Sequence, residues 1–424
     1  MSDRRQVDVV VVGAGPAGLA AAGAAAARGR RVLVIDQGIH AGGQLWRHRD
    51  EGALPPRAHA LMARARNAGA TFAAEARVID ANSPRELIVD FRGRLAAVGT
   101  EAIILATGAT ERFLPFPGWT LPGVTGVGGL QALLKSGLRL PARRVVLAGT
   151  GPLLLPVAAT LATAGAEVVL VAEQVSALTL ARFAASMALA PQRLLTGLRY
   201  RAAFLSSPFR SSSWVTRADG EGRLRAVTLR VGGQPRTIEC DWLGAAMGLV
   251  PHTELGQLLG CALAGDAIAV DEMQQTTVAG VWAAGECSGV KGDDAAVAEG
   301  AIAGSAAAGD RQGAAAPALV RARKAGLRFG RRLATTFAPR PEVLALADTQ
   351  TIVCRCEDVE LGAIDPAWTQ RQAKLWTRIG MGACQGAVCG PACRALFGWE
   401  GNSVRPPLCA PELGSWSASL TREG

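Results

Sequence analysis

Aromatic residues are scarce in this chain, at 5% of 424 residues, with Tyr200 the one tyrosine. Its cores must therefore be assembled from Ala, Val and Leu, which the 49% hydrophobic content supplies. Lysine is nearly missing as well. Lys135, Lys291, Lys324 and Lys374 are the four present, so a net charge of +10 is carried by arginines scattered along the sequence. A nucleic-acid-binding face clusters its basic residues and interleaves aromatics. Neither feature occurs, and nucleic acid is not an expected partner; an anionic dinucleotide or an acidic protein suits the excess better. No apolar run reaches the roughly 18 uninterrupted residues of a membrane span. Arg4 and Arg5 precede an alanine-rich stretch that imitates a secretory leader, but Gly13, Gly15 and Gly18 interrupt it at a spacing with another meaning. The sequence reads as cytoplasmic and not as an integral membrane protein. His40, His48, His59 and His252 are isolated, so no catalytic residue is assigned.

Glycine, by contrast, is abundant at 51 residues, as tight turns and close backbone approach to ligands require. Two segments repeat one pattern: an apolar strand, a glycine turn, an alanine/leucine helix and a second apolar strand ending in an acid. They run from Val7 to Asp36 and from Arg144 to Glu173. Each has the length of a βαβ unit, whose parallel strands need a helical crossover. The fold class predicted is α/β, with two Rossmann-like dinucleotide-binding domains and a small C-terminal module. In the first segment Gly13 permits the strand-to-helix turn, Gly15 admits a pyrophosphate, and Gly18 lets helix and strand pack closely. Pro16 and Ala17 open the helix, whose N-terminus attracts phosphate. Asp36, followed by Gln37, ends the second strand where a carboxylate binds a ribose diol. These residues alone leave FAD, NAD and ATP open.

The second segment departs from the pattern. Gly149 and Gly151 are followed by Leu154 where a third small residue belongs, which is expected to crowd the pyrophosphate. Glu173, were the site occupied, would repel the 2′-phosphate of NADP and favour NAD, and Leu154 and Glu173 together predict poor use of nicotinamide cofactors at the second site. Pro115 to Gly137 reads as a connector ending in a short helix. The predicted domains are 1–114 with 265–310 for the first dinucleotide fold, 115–264 for the second, 311–345 as a helical linker and 346–424 as the module.

Nine cysteines, four of them between Cys354 and Cys389, do not form a secreted disulfide framework. Neither glycine loop carries a CxxC or CxxxxC redox pair, which disfavours disulfide reduction. Cys240, Cys261 and Cys287 stand alone and read as small buried hydrophobes, Cys287 lying next to Glu286. Cys354 and Cys356 form a CxC, Cys384 and Cys389 a CxxxxC. Four thiolates suit zinc and iron–sulfur alike. Cys393 is an alternative ligand, and Cys409 a spare thiol.

Ile103 to Gly108 (IILATG) and Gly280 to Glu286 (GVWAAGE) resemble paired motifs of flavoproteins with two dinucleotide domains, of the glutathione-reductase type. The resemblance implies FAD, with Thr107 and Gly108 beside the first glycine loop and Gly285 and Glu286 at the flavin side; Glu286 stands where those proteins carry Asp. Gly43 and Gln44 of GGQLW resemble a flavin-side loop, and Val78 joins the implied cofactor residues. CRCE followed by TRIGMGACQGAVC resembles the bacterioferritin-associated-ferredoxin-like module. It implies a [2Fe-2S] cluster on Cys354, Cys356, Cys384 and Cys389. The order of all these motifs resembles the flavoprotein α subunits of opine oxidases, hydrogen cyanide synthase and D-hydroxyproline or L-proline dehydrogenases. This resemblance implies an electron-transferring subunit of a heteromeric amino- or imino-acid dehydrogenase. Its partner would be an FAD-dependent substrate-oxidising flavoprotein subunit, with an FMN shared at the boundary and a small ferredoxin-like subunit as a further member. Two rivals stay open: a self-sufficient NADH-dependent ferredoxin or acceptor reductase, and a nucleotide-bound scaffold subunit. The amino or imino acid itself is not legible.

Overall fold

Val9 to Val12 form an unbroken apolar run, the mark of a parallel strand covered on both faces. In the computed structural model, which describes residues 4–50, 52, 54–188, 190–399 and 404–410, that run lies mid-sheet. The chain divides into two compact units, one of residues 4–110, 250–331 and 404–410, the other of residues 111–249 and 332–399. Of the predicted C-terminal module, residues 400–403 and 411–424 lie outside the described residues.

In the first unit seven strands form one sheet among the described residues. Thr71–Ala73, Val32–Ile35, Arg4–Val12 and Leu95–Leu105 run parallel, joined by Val281–Ala283, and Glu86–Phe91 and Ala76–Ser83 add an antiparallel edge. The alanine-rich composition is explained by one helix pair. Helix Pro16–Ala26 is buried along nearly its whole length and packs against helix Asp293–Ala307. The approach is so close that a Cβ at Gly300 or Gly304 would collide with the carbonyl oxygens of Ala17 or Ala21. Larger side chains would push these helices apart.

The second unit holds a five-stranded parallel sheet in the order Phe209–Arg210, Glu167–Glu173, Arg144–Gly149, Trp242–Ala246, Val124–Gly126. The predicted connector thus contributes a strand, Val124–Gly126, before its helix, Val127–Lys135. Three residues carry too little periodicity to announce a strand. A three-stranded antiparallel sheet, Ser213–Asp219, Ala226–Val231 and Gln234–Glu239, completes that core. The same unit carries the cysteine module, a short hairpin of Ile352–Cys354 with Val359–Glu360 followed by helices Gln370–Thr377 and Cys389–Phe397. No helix among the described residues is long and apolar enough to cross a membrane.

Candidate functional site

Four predicted motifs meet at one end of the first sheet. Gly13 has φ +104°, and a Cβ there would collide with the carbonyl oxygen of Ala106, at the head of the ATG turn. A Cβ at Gly18 would collide with the carbonyl oxygen of Gly13. Both glycines are therefore demanded by the protein's own packing. Gly15 differs. Its φ is an ordinary −74°, and a Cβ added there would meet nothing nearer than Gly43 Cα at 4.0 Å. The fold leaves open space there, on the side where a pyrophosphate approaches. The GGQ loop closes one wall: the Gly42 N–H donates to Ala14 O at 2.8 Å, and a Cβ on Gly43 would lie 3.0 Å from Gly15 Cα. Gly285 closes another, since a Cβ there would lie 2.8 Å from Ala17 Cβ.

Asp36 accepts hydrogen bonds from the Ala14 N–H at 2.6 Å and the Gly38 N–H at 2.7 Å, tying the glycine loop to the end of the second strand. Gln37 and Gln44 are exposed. The Thr107 hydroxyl donates to His252 O at 2.8 Å. Val78 has its side chain in the core with Val10, Val12 and Ile35. Cys287 is fully buried, its thiol 3.2 Å from Leu105 O, as a structural residue would be.

Sequence reading missed a buried ion pair beside this site. Lys291 Nζ lies 2.7 Å from Glu299 Oε1, with the two side chains 7% and 0% exposed. Glu299 also accepts the Gly285 N–H at 3.1 Å, and Lys291 donates to Ser288 O at 2.9 Å. The pair braces the turn that carries Glu286, whose carboxyl burial pushes up. One signal was available: Glu299 is a lone acid in the middle of an apolar helix, where an ion needs a partner.

A second site lies in the other unit. Cys354, Cys356, Cys384 and Cys389 line one cavity of about 330 Å³, together with Glu111, Phe113, Trp119 and Arg355. The thiols are mutual neighbours, Cys356 beside Cys384 and Cys354, and Cys389 beside Cys354, Cys384 and Cys393. Burial pushes the Cys384 thiol up, but the backbone N–H of Val388, the Cys356 thiol and the N–H groups of Gly386 and Ala387 outweigh it and leave Cys384 below the usual thiol value. Those donors favour a thiolate. Burial pushes Cys389 up, and Cys393, buried and outside the cavity lining, up to about 12. Among the described residues no group of three or more His, Cys, Asp or Glu closes round a single point to hold an ion. Glu111 was also missed. Its carboxylate accepts the N–H groups of Gly128 at 2.6 Å and Gly129 at 2.8 Å, and burial pushes it up. Gly126 and Gly128 make room for it, for a Cβ at Gly126 would collide with its carboxylate.

The expectation for Leu154 needs correction. The residue is 1% exposed and sits in the core with Val157, Leu161 and Phe204, so it does not project toward a pyrophosphate.

The pyridine nucleotide-disulphide oxidoreductase family model matches residues 7–302, which contain both glycine loops. The chain belongs to that family. It is 33% identical to the A subunit of the opine oxidase of Rhizobium meliloti over 96% of this chain and 97% of the relative. It is 32% identical to the HcnB subunit of hydrogen cyanide synthase of Pseudomonas aeruginosa over 90% of each. Among solved structures, L-proline dehydrogenase from P. horikoshii superposes with a TM-score of 0.69 at 18% identity, covering 97% of this chain and 80% of that one; at that identity the likeness is one of fold. As a member of the pyridine nucleotide-disulphide oxidoreductase family with relatives of these kinds, the chain is an oxidoreductase. The thiol cavity draws on residues beyond the family match.

Proposed function

We propose that the chain is the electron-transferring subunit of a heteromeric amino- or imino-acid dehydrogenase, with FAD in the first glycine-loop fold and a [2Fe-2S] cluster on Cys354, Cys356, Cys384 and Cys389. The observation that carries this reading is the gathering of four thiols, from segments about thirty residues apart in sequence, into one cavity of a family member that lacks the redox pair of disulfide reductases. When bound, a flavin takes up electrons in pairs and a [2Fe-2S] cluster one at a time, the chemistry a relay of carriers needs.

The chain's own residues do the holding. Gly15 leaves room for the pyrophosphate, the N-terminus of helix Pro16–Ala26 turns N–H groups toward it, and the Lys291–Glu299 pair steadies Gly285 and Glu286. The N–H groups around Cys384 favour its thiolate. Two relatives are named as subunits, which supports a partner subunit here; on this reading the partner is a substrate-oxidising flavoprotein, with FMN at the boundary and a small ferredoxin-like subunit in the complex.

Purified anaerobically, the protein should show flavin bands with a broad cluster absorption, and two irons and two acid-labile sulfides per chain. Cys354→Ser and Cys384→Ser should each lose the iron and sulfide and keep the flavin. One equivalent of zinc without sulfide would remove the cluster from the reading. Dye reduction with proline, hydroxyproline or opines should appear only with the partner present; robust turnover by the isolated chain, or rapid stoichiometric flavin reduction by NADH, would overturn the subunit role.

A further inference from the structure

In a fold of this kind the pyrophosphate lies at the second loop glycine, and the adenosine ribose lies at the acid ending the second strand. In the second fold the glycine is Gly151, where a Cβ would meet nothing within 4 Å, and the acid is Glu173, with Gln174 following and Thr150 of the loop nearby. Thr150, Glu173 and Gln174 are buried, at 5%, 2% and 2% exposure. What covers them is the protein's own chain. The Thr150 hydroxyl donates to Phe337 O at 3.3 Å, and the Gln174 amide donates to Ala338 O at 3.0 Å. Arg340 returns two bonds, its N–H to Gln174 Oε1 at 3.2 Å and its guanidinium to Gln174 O at 3.4 Å. Glu173 accepts from the Gly151 N–H at 2.9 Å and the Val175 N–H at 3.1 Å, as Asp36 does from its own loop.

The segment is fixed from its other side too. Phe337 meets the ring of Phe183 edge-on at 5.0 Å, and the Arg340 guanidinium stacks 4.7 Å over Trp214. The residues beyond it pack into the core of the same unit through Val343 and Leu344. The Trp119 indole N–H then donates to Ile352 O at 2.6 Å, two residues before the first thiol of the cavity.

We propose that residues 337–340 take the place of the adenosine ribose of a dinucleotide in the second glycine-loop fold, so that this fold binds no nicotinamide nucleotide and instead anchors the cysteine module. Carbonyl oxygens of the segment accept from Thr150 and Gln174, side chains beside the acid that would bind a ribose, and the chain then continues to the thiols. The proposal stands whichever nucleotide the first fold holds and whatever metal the thiols take.

The test is hydrogen–deuterium exchange on the purified full-length holoprotein. With NADH, NADPH or NAD at about 1 mM, peptides spanning 144–156 and 170–176 should show no added protection. In Gln174→Ala, and independently in Arg340→Ala, backbone amides of 337–346 should exchange roughly tenfold faster, the effect of losing one or two hydrogen bonds from a locally opening segment. The increase should spread to 351–356. Protection of either loop peptide by a nicotinamide nucleotide overturns the proposal. So does unchanged exchange across 337–346 in both variants.

Discussion

In the first glycine-loop fold the acid ending the second strand, Asp36, is followed by an exposed glutamine, Gln37; in the second, Glu173 is followed by Gln174, which is 2% exposed. Below that point the two folds are built alike. Gly13 and Gly149 both adopt positive φ, +104° and +143°, and a Cβ on either would collide with a carbonyl oxygen of the neighbouring strand, Ala106 or Ala246. Asp36 and Glu173 both accept N–H groups of their own glycine loop. The difference lies above the loop, where the second fold meets residues 164 positions further along the chain. A βαβ unit makes a nucleotide-shaped crest; whether that crest receives a nucleotide depends on what else reaches it.

The sharpest contrast is the ion pair that the first fold carries. Glu299→Gln leaves the Lys291 cation buried without its counter-charge and should destabilise the protein by about 4 kcal/mol, as truncating one partner of a buried pair does. Lys291→Met combined with Glu299→Leu should recover most of that loss, measured by denaturant unfolding. Equal losses from the single and double variants would show that the pair is not coupled.

The likeness of the two turns is testable next. Gly13→Ala and Gly149→Ala should each cost about 3 kcal/mol, from overpacking against backbone and an unfavourable φ. A thermal melt in which only one of them suffers would break the structural equivalence.

Glu173 gives the second fold a pH dependence. Burial raises its carboxyl from the ordinary 4.5 to about 7, with the N–H groups of Val175 and Gly151 opposing the rise. The folded state therefore holds the proton more tightly than the unfolded chain. The stability so gained is full below about pH 4.5 and is lost as pH rises through about 7, a change of roughly 3 kcal/mol at most. Glu173→Gln should flatten the fall in Tm across that window, and an unchanged slope would refute the assignment.

The smallest effect on stability is expected at Gly15. Because its φ is ordinary and its surroundings are open, Gly15→Val should shift the melting of the nucleotide-free protein by no more than about 0.5 kcal/mol. Flavin content, read from the visible spectrum, should nevertheless fall to a small fraction. Full occupancy in the folded variant would move the cofactor elsewhere.

Much of this was legible because it is local. Strand, turn and helix of both glycine loops follow from apolar runs and glycine spacing, and the CxC and CxxxxC spacings marked the four residues that line the cavity. Glu111 was not legible. Its partners are backbone N–H groups of Gly128 and Gly129, seventeen and eighteen positions away, and no side-chain pattern announces them. Leu154 was misread for a related reason: the spacing placed it at a loop position, but the packing of its helix turned the side chain into the core.

The amino-acid sequence by itself determined two α/β glycine-loop units, a four-thiol module and the absence of a disulfide-reductase pair, since each depends on residue type at short separation. Tertiary structure alone decided that Gly15 faces open space while Gly13 and Gly18 face backbone, that Lys291 and Glu299 pair without solvent, and that Phe337–Arg340 lies over the second crest. Those outcomes turn on carbonyl and amide groups, which every residue carries and no sequence pattern distinguishes, and on which of them long-range packing brings within about 3 Å of one another.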